Sequence, residues 1–363
     1  MRIGIDISSV PYGTGVSRYT SNLTRSLTTQ FSQEEYVLFG SSLRLKKQLE
    51  KFAKSISGNV TLSIHSMPPK LQSLFFNLLH LPIENYTGDL DIFHSWDWYT
   101  PATKRAALVT TIHDLSAIKF PKETHPEIVS HHKQSLKWIK KEASAIIAVS
   151  QATKKDIVSL LQIDPKRVHV VYEALPLESN MKIKKEDVKK VEKKYSITKP
   201  FILAVASQEP RKNLDRIIQS WEEYKSEYQL VLVGKPGFIQ IEPQPELIIT
   251  GFIEGKELAT LYSEAKCLVY ASLYEGFGLP ILEAFYHQTP VVTSNISSMP
   301  EIAGNASVLV DPTQINSIAA GISKAINQSQ SLIQKGKKQL EKFAWKKTAE
   351  DTHKVYQRAL EIK

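Results

Sequence analysis

The chain has 363 residues, of which 42% are hydrophobic and 23% charged, so it is long enough to fold as two domains. No run of about 20 apolar residues is present, and the single cysteine, Cys267, excludes a disulfide framework and a cysteine-rich metal site. The net charge of +9 is shared between both halves, which argues against a nucleic-acid partner but leaves contact with anionic lipid or phosphate open.

The first residues, 2–8, alternate as a strand does and lack the layout of a signal peptide. We therefore expect a cytoplasmic protein, with a peripheral position at the inner face of the membrane left open. A glycine loop at 11–16 and a helix from about 17 to 29 follow. The loop has no third glycine, so it is not the dinucleotide fingerprint, and ligand contact at Gly15 or Val16 is as well supported as a plain turn.

Strands alternate with helices over the first 178 residues. Further strands are predicted at 36–39, 60–64, 91–95, 108–112, 145–149 and 168–172. This order indicates a doubly wound α/β domain with a parallel sheet covered on both faces. Ligands of such sheets bind beyond the C-terminal ends of the strands, where His113 and Asp114 stand. A histidine at this place is either a structural residue or a ligand-contacting one whose ring Asp114 orients.

The segment 69–81 carries apolar residues at helical spacing, with two adjacent phenylalanines. It predicts one helix that either packs on the core or forms an acceptor-binding or membrane-surface element, because lipid-facing helices combine bulky apolar residues with flanking cations. The aromatic residues Trp96, Trp98 and Tyr99 could stack on a sugar or fill the core.

The alternating pattern is lost between Tyr172 and Lys199, which predicts a linker. A second α/β domain then begins, with strands at 201–206, 229–235, 247–253, 267–271 and 291–294 and a last helix from about 343. After the first of these strands, Arg211 and Lys212 stand at a predicted helix start. Two cations beside helix donors suit a diphosphate, although surface cations are the alternative.

The stretch Tyr274–Glu283 follows an apolar strand and ends where Pro280 can begin a helix. Its glycines let a ligand approach the backbone, and the N–H groups of Gly276, Phe277, Gly278 and Leu279 together with the helix dipole suit a phosphate. Glu275 and Glu283 would repel phosphate, so neutral hydroxyls are their better targets, and a nucleotide sugar carries both groups. Alternatively, Glu283 in the first helical turn complements the helix dipole.

The stretch Glu275-Gly-Phe-Gly-Leu-Pro-Ile-Leu-Glu283 resembles the signature of the retaining glycosyltransferases of family four. The resemblance implies a GT-B architecture, in which two Rossmann-like domains face each other across a cleft. It also implies that Glu275 lies under the donor sugar and that Glu283 binds the ribose. The Pro-Arg-Lys-Asn sequence resembles the family too, which assigns Lys212 to the diphosphate.

Further roles follow from the same resemblance. His113 approaches the donor sugar, Gly15 and Val16 face the diphosphate, and Gly251 and Phe252 cup the base. Many relatives have Gly-Arg after the first strand of the second domain where this chain has Ala206-Ser207, so Arg211 as a second cation is our own inference.

The last helix crosses back onto the first domain in related proteins. We therefore expect an N-terminal acceptor-side domain at 1–178 that includes the helix 346–363, and a donor-binding domain at 179–345.

We expect transfer of a sugar, with retained configuration, from a nucleotide diphosphate sugar to a hydroxyl of a glycan or lipid-linked acceptor in surface polysaccharide biosynthesis. GDP-mannose is favoured because proteins with Pro-Arg-Lys-Asn often resemble mannosyl- or rhamnosyltransferases. We expect no cofactor and no metal, since the cations and the backbone amides can stabilise the departing diphosphate. The alternatives are a nucleotide-sugar epimerase on the same architecture and a non-catalytic partner protein.

Overall fold

The computed structural model describes residues 1–179 and 181–361 and divides into two units. The N-terminal unit comprises Met1–Ala174 and Ala344–Lys363, and the C-terminal unit comprises Leu175–Phe343. The sequence had suggested divisions after 178 and 345. Asn180 of the predicted linker and residues 362–363 of the predicted last helix lie outside the described residues.

The N-terminal unit is built on a seven-stranded sheet of order β3-β2-β1-β4-β5-β6-β7 in which every pairing is parallel. The strands are β1 Arg2–Asp6, β2 Glu35–Ser41, β3 Val60–His65, β4 Ile92–Trp96, β5 Ala107–Ile112, β6 Ala145–Ala148 and β7 Val168–Val170. The strand order reverses between β1 and β4, and the crevice beyond such a reversal is where doubly wound sheets bind ligands. His113 directly follows β5, the neighbour of β4.

Seven helices connect these strands: α1 Gly15–Gln30, α2 Lys46–Lys54, α3 Pro69–Gln72, α4 Glu84–Thr87, α5 Ser116–Lys119, α6 Pro126–Glu142 and α7 Gln151–Leu161. Helix α1 begins at Gly15, two residues before the predicted start, because Thr14 caps it and exchanges hydrogen bonds with Ser17. Gly15 and Val16 are therefore the first helical residues and not loop residues. Ser150 caps α7, since its Oγ accepts from Thr153 N at 3.0 Å.

The prediction of one continuous helix at 69–81 is wrong. Helix α3 ends at Gln72 and passes into a π-helix at Ser73–Leu78, in which the Leu79 N–H donates to Leu74 O at 2.8 Å. Asn77 faces inward there and fixes the segment after β4, donating to Trp98 O and accepting from Thr100 N, both at 3.1 Å. The wider turn lets Phe76 and Asn77, which are adjacent, both be buried.

The C-terminal unit has a six-stranded sheet of order β10-β9-β8-β11-β12-β13, also parallel throughout. Its strands are β8 Phe201–Val205, β9 Gln229–Val233, β10 Leu247–Gly251, β11 Cys267–Tyr270, β12 Val291–Ser294 and β13 Val308–Val310. Its helices are α8 Lys185–Tyr195, α9 Leu214–Trp221, α10 Gly255–Glu264, α11 Leu279–Tyr286, α12 Met299–Ala303, α13 Ile315–Asn327 and α14 Ser329–Leu340. The strand order reverses between β8 and β11, so the loops after these two strands form the ligand edge.

The last helix, α15 at Trp345–Glu361, belongs to the N-terminal unit. Its Thr348 Oγ1 donates to Tyr172 O at 2.9 Å, and the Tyr356 hydroxyl lies 2.7 Å from His94 Nδ1. His353 Nε2 lies 3.1 Å from Glu34 Oε1 and its ring stacks on Phe31. The chain thus completes its first unit with its last helix. Over the described residues, the helices lack the length and apolar character that crossing a membrane requires.

Candidate functional site

The buried carboxylate of Glu275 lies at the centre of a cluster of partly buried charges in the C-terminal unit. Lys212 Nζ donates to Glu275 Oε1 at 2.7 Å and to Oε2 at 2.9 Å, and an Arg211 Nη lies 3.3 Å from Oε2. Arg211 Nε also donates to Glu209 Oε2 at 3.0 Å. Two cations therefore face two carboxylates, and their formal charges add to zero. The cluster offers aligned donors rather than a strong positive field.

The Glu275 carboxyl is ionised across the physiological range. Burial raises its pKa, but the charges of Lys212 and Arg211 outweigh burial and lower the pKa to about 2. The Tyr270 hydroxyl also bonds to Glu275. Burial, together with the charge of Glu275, raises the pKa of Tyr270 well above its usual value. At neutral pH Glu275 can therefore accept hydrogen bonds but has no proton to give.

Hydrogen bonds to backbone carbonyls hold Arg211 and Lys212 against the loop that carries Glu275. Pro210–Lys212 form a 3-10 turn, and the Leu273 N–H donates to Arg211 O at 2.8 Å. Asn213 ends this turn with a left-handed φ of 61°, which asparagine tolerates better than most residues. Its buried amide donates to Ala271 O at 2.9 Å and Pro312 O at 2.7 Å. Asn213 thus connects the turn that carries Arg211 and Lys212 to the end of β11. The sequence did not reveal this role.

Two serines of the loop after β12 fix the backbone around Glu275. Ser297 Oγ donates to Glu275 O at 2.7 Å and accepts from Glu275 N at 3.2 Å. Ser298 Oγ donates to Glu275 O at 3.0 Å and to Phe277 O at 2.7 Å. Sequence reasoning missed both residues, because their partners lie more than 20 positions earlier in the chain. The available signal was their position in the loop between β12 and α12, at the end of a parallel strand.

Helix α11 begins at Leu279, with Gly278 as its N-cap and Pro280 in its first turn. Gly278 has a φ of 116°, a conformation that residues with a side chain rarely adopt, so a glycine is required here. The buried ring of Phe277 packs edge-on against Phe343. Gly276 is also buried in this turn.

Glu283 was expected in the first helical turn, and that expectation is wrong. It is the fifth residue of α11, and no acidic residue occupies the first turn. Its buried Oε2 accepts from the Tyr262 hydroxyl at 2.8 Å. Because the dipole effect fades within the first turn, complementing the helix dipole does not explain a carboxylate here.

Gly251 and Phe252, expected at the base, and Ser207 lie at the ends of β10 and β8, which stand on either side of β9 in the sheet of the C-terminal unit. Gly251 ends β10 with a φ of 74°, and Phe252 beside it is 45% exposed, with Lys235 Nζ 4.6 Å from its ring centre. Ser207 lies beyond β8 and its Oγ donates to Glu209 Oε1 at 2.6 Å. Ser207 thus joins the charge cluster through Glu209.

His113 is held by a residue that the sequence analysis did not single out. Its Nδ1 lies 2.9 Å from Glu173 Oε1, and Glu173 is buried. Asp114 does not orient the ring as expected, because its Oδ1 accepts from Ser116 N at 2.7 Å. His113 Nε2 is buried and has no hydrogen-bond partner within the described part of the chain. Glu173 follows shortly after β7, so a carboxylate at a strand end was the available signal.

The pKa of His113 is raised above its ordinary value. Burial is the largest single influence and lowers this pKa. The hydrogen bond and the charge of Glu173, with the charges of Asp97 and Asp114, together raise the pKa by more than burial lowers it. Tyr19 packs edge-on against the ring at 4.8 Å. The protonated ring would present Nε2–H as a donor to a ligand oxygen.

Among residues 1–179 and 181–361, no group of three or more histidine, cysteine, aspartate or glutamate side chains is arranged to hold a metal ion. The described groups that can bind a ligand or exchange a proton with it are the cations Lys212 and Arg211, the carboxylates, His113 and the helix N-termini.

Two family models match the chain. The one described as Glycosyltransferase Family 4 matches residues 13–179, and the one described as Glycosyl transferases group 1 matches residues 184–343. The O-antigen chain mannosyltransferase B of Escherichia coli is 28% identical over 371 residues, covering 94% of this chain and 96% of that protein. The serotype-specific mannosyltransferase WbdA of Escherichia coli is 31% identical over 226 residues, but the match covers only 28% of WbdA and 57% of this chain.

The solved structure of Anabaena Alr3699/HepE in complex with UDP and glucose superposes with a TM-score of 0.71 at 16% identity, covering 98% of each chain. At this identity the likeness shows the fold alone. With both halves matched by their family models and with two Rossmann-like units on parallel sheets, the chain belongs to the family-four glycosyltransferases and has the GT-B fold.

Proposed function

We propose that this glycosyltransferase moves mannose from GDP-mannose to a hydroxyl of a growing glycan or lipid-linked acceptor, with retention of the anomeric configuration and without a metal. The cluster of the buried Glu275 carboxylate with the cations Lys212 and Arg211 is the observation that carries the proposal. It provides fixed donors for a diphosphate beside a carboxylate suited to sugar hydroxyls.

In the proposed reaction the bond between the anomeric carbon and the diphosphate oxygen breaks. The acceptor oxygen bonds to the same face of that carbon, and its proton passes to the departing diphosphate, so atoms and charge balance. Lys212, Arg211 and the amides of Gly278 and Leu279 stabilise the negative charge that develops on the leaving group. This preorganised set of donors supports the proposal that no metal is needed.

The electrostatics of Glu275 favour this same-face route over a double displacement. A retaining enzyme with a carboxylate nucleophile needs that carboxylate to be free to attack the anomeric carbon. Both oxygens of Glu275 are bonded to cations, which reduces their nucleophilicity. We therefore assign Glu275 to the sugar hydroxyls, as an acceptor and not as the attacking group.

Other roles belong to the same proposal. Glu283 binds the ribose, Gly251 and Phe252 contact the base, and Ser207 and the backbone of 276–279 contact the diphosphate. Gly15 and Val16 offer the exposed N-terminus of α1 to the diphosphate. His113 donates Nε2–H to the donor sugar.

The choice of mannose and of a surface-polysaccharide acceptor rests on relatives that are named as O-antigen mannosyltransferases. If the acceptor is lipid-linked, the enzyme works at a cytoplasmic membrane face as a peripheral protein. A nucleotide-sugar epimerase and a non-catalytic partner are the competing functions, and the test below separates them.

The test uses the purified full-length chain. Thermal shifts with GDP-, UDP-, dTDP- and ADP-sugars identify the donor, because binding adds stability. Transfer to a mannose-containing acceptor is then followed, and the anomeric configuration of the product is read by NMR. We expect GDP-mannose to stabilise the protein and to give an α-linked product. Donor conversion without an acceptor would identify an epimerase, and absence of any donor binding would identify a non-catalytic protein.

A matched pair of variants tests the carrying observation. Glu275→Gln keeps the shape of the side chain, and we expect transfer to fall by on the order of 10²-fold or more while GDP affinity is largely kept. Glu264→Gln changes an exposed glutamate of the same unit and should leave both unchanged. Lost GDP affinity with intact turnover would refute the assignment of Glu275 to the sugar.

A further inference from the structure

Three leucines of the π-helix region stand in solvent in the N-terminal unit. Leu78 is 65% exposed, Leu79 is 55% exposed and Leu74 is 38% exposed. Single exposed leucines are ordinary, but three within six residues form an apolar patch, and such patches mark contact surfaces. Packing in the core accounts for Phe76 and Asn77 of this segment, which are buried. It does not account for three leucines that are exposed.

The helix that packs beside this patch presents lysines on one face. Lys133, Lys137 and Lys141 of α6 are spaced four residues apart and all are exposed. We call these three lysines and the three leucines the lysine–leucine surface.

Direct contacts join the two parts of the lysine–leucine surface. Trp138 Nε1 donates to Asn77 O at 2.8 Å, and the Trp138 ring stacks on His80 with centroids 3.6 Å apart. Lys137 Nζ and Lys141 Nζ lie 5.4 Å and 5.1 Å from the centroid of the Trp138 ring. The lysines therefore stand beside the residues that flank Leu78 and Leu79.

The charge of the surface is positive. Within α6 the carboxylates are Glu127 in the first turn and Glu142 at the end. Glu142 is bonded to His80 Nε2 at 2.7 Å and lies 3.7 Å from Lys141. Neither carboxylate interrupts the stretch of helix from Lys133 to Lys141.

We propose that the lysine–leucine surface binds the face of an anionic lipid bilayer. Leucine side chains enter the boundary of the acyl chains, and the long lysine stems reach the phosphate headgroups around them. A patch of three leucines is small for a stable protein interface, whereas apolar residues beside a row of exposed lysines complement the charge and the apolar interior of such a bilayer. This surface deepens the proposed membrane contact, but it rests on exposure and charge and not on the sugar chemistry.

The test measures co-sedimentation of the full-length chain with phosphatidylcholine vesicles, with and without phosphatidylglycerol. We expect binding to the anionic vesicles that weakens with salt and little binding to the neutral ones. Lys137→Glu with Lys141→Glu should weaken partitioning at least about 25-fold, since each lysine near an anionic surface contributes a factor of about five. The matched control is Lys189→Glu with Lys193→Glu, an exposed lysine pair of equal spacing on α8.

The apolar part is tested with Leu78→Asn and Leu79→Asn. Its control is Leu160→Asn, at a leucine of α7 that is 46% exposed. The surface variants should bind vesicles several-fold more weakly, and the control should bind as the parent chain does. The melting temperature of every variant is measured without and with GDP-mannose. The value without ligand reports folding and the shift reports donor binding, so the vesicle result can be interpreted even if GDP-mannose is not the donor.

Equal loss of vesicle binding in the surface and control variants would overturn the proposal, because binding would then be nonspecific. Absence of binding to anionic vesicles by the parent chain would also overturn it and would leave the patch to a protein partner.

Discussion

Two partly buried cations share the buried carboxylate of Glu275, and this coupling governs how substitutions at the site should be interpreted. Removing Glu275 leaves Lys212 and Arg211 with less compensation for their charge, so the variant loses stability as well as any contact to the sugar. The reverse holds for Lys212, whose removal leaves Glu275 with Arg211 alone. Glutamine at 275 and methionine at 212 are therefore better probes than alanine, since they keep the shape.

The depressed pKa of Glu275 predicts a pH dependence of stability. A carboxyl lowered from 4.5 to about 2 stabilises the fold above the unfolded pKa, and this stabilisation is lost as pH falls through the folded pKa. The free energy of unfolding of the parent chain should therefore exceed that of Glu275→Gln by a pH-dependent part. That part is on the order of 3 kcal/mol at neutral pH and decreases from about pH 4.5 downwards. Urea unfolding at several pH values measures it, and a difference that is constant from neutral to acid pH would contradict the pairing.

Glu173 should act on transfer through the ring of His113. Because Glu173 raises the pKa of His113, Glu173→Gln should lower that pKa while the glutamine oxygen can still accept from Nδ1. We expect kcat to fall by on the order of 10²-fold, with little change in KM for the donor. NMR titration of the His113 ring measures the pKa directly.

The sign of the linked stability follows from the same pairing. A histidine whose pKa is raised in the fold stabilises it below the unfolded pKa, and this is lost as pH rises through the folded pKa. The stability difference between the parent and Glu173→Gln should thus be larger at acid pH. Glu142→Gln, which breaks the His80 pair in the same unit, is the control and should leave His113 and transfer unchanged. An unaltered His113 titration in Glu173→Gln would contradict the positioning role.

The sequence predicted part of this site because part of it is local. Glu275 and Glu283 stand in one short stretch, and Arg211 and Lys212 stand together, so their spacing could be recognised. The residues that hold them in place are distant in the chain. Glu173 reaches His113 across 60 positions, and Asn213 reaches Pro312 across 99. Only the sheet order, in which β6 alone separates β5 from β7 and β8 shares a sheet with β13, brings these pairs together.

At the scale of elements, the position of Glu283 in α11 lets an experiment distinguish ribose binding from a role in helix stability. As the fifth residue of α11, Glu283 gains little from the helix dipole, so Glu283→Gln should cost little helix stability. If it accepts hydrogen bonds from the ribose, the affinity for GDP should fall by roughly 1.5–3 kcal/mol. The 2′-deoxy nucleotide, which lacks one donor, should lose less.

Calorimetric titration of both nucleotides against both proteins gives a double-mutant cycle. Glu257→Gln is a matched control, because Glu257 accepts from the Tyr195 hydroxyl at 2.9 Å much as Glu283 accepts from Tyr262 at 2.8 Å. The control should leave nucleotide affinity unchanged. A coupling energy near zero for Glu283 would remove it from the ribose.

The strands were predictable because parallel strands are continuous apolar runs. β12 has the bounds expected from the sequence, and the ends of the other predicted strands differ by one or two residues. β13 was missed because Val308–Val310 is too short to stand out, and Leu309 within it is exposed. The π-helix was missed because its i→i+5 bonding depends on where Asn77 docks, which local spacing does not record.

At the scale of the whole molecule, the two units differ in how the chain builds them. The C-terminal unit is one continuous segment, whereas the N-terminal unit needs α15 from the far end of the chain. His94, at the centre of the N-terminal sheet, is buried, which lowers its pKa to about 3, so it is neutral and relies on neutral partners. One of those partners is the Tyr356 hydroxyl of α15.

Truncation of the chain after Phe343 should therefore lower the stability of the N-terminal unit alone. The cut leaves His94 Nδ1 without its partner and uncovers the surface on which Ala349, Val355 and Ala359 are buried. Differential scanning calorimetry should resolve an early transition that GDP does not shift and a later one that GDP raises, because the proposed nucleotide contacts are mainly in the continuous unit. Tyr356→Phe in the full chain provides the graded version, with a loss of about 1–3 kcal/mol for one buried acceptor left unpaired. If the truncated chain melted in one transition at the parent temperature, α15 would not be needed to complete the N-terminal unit.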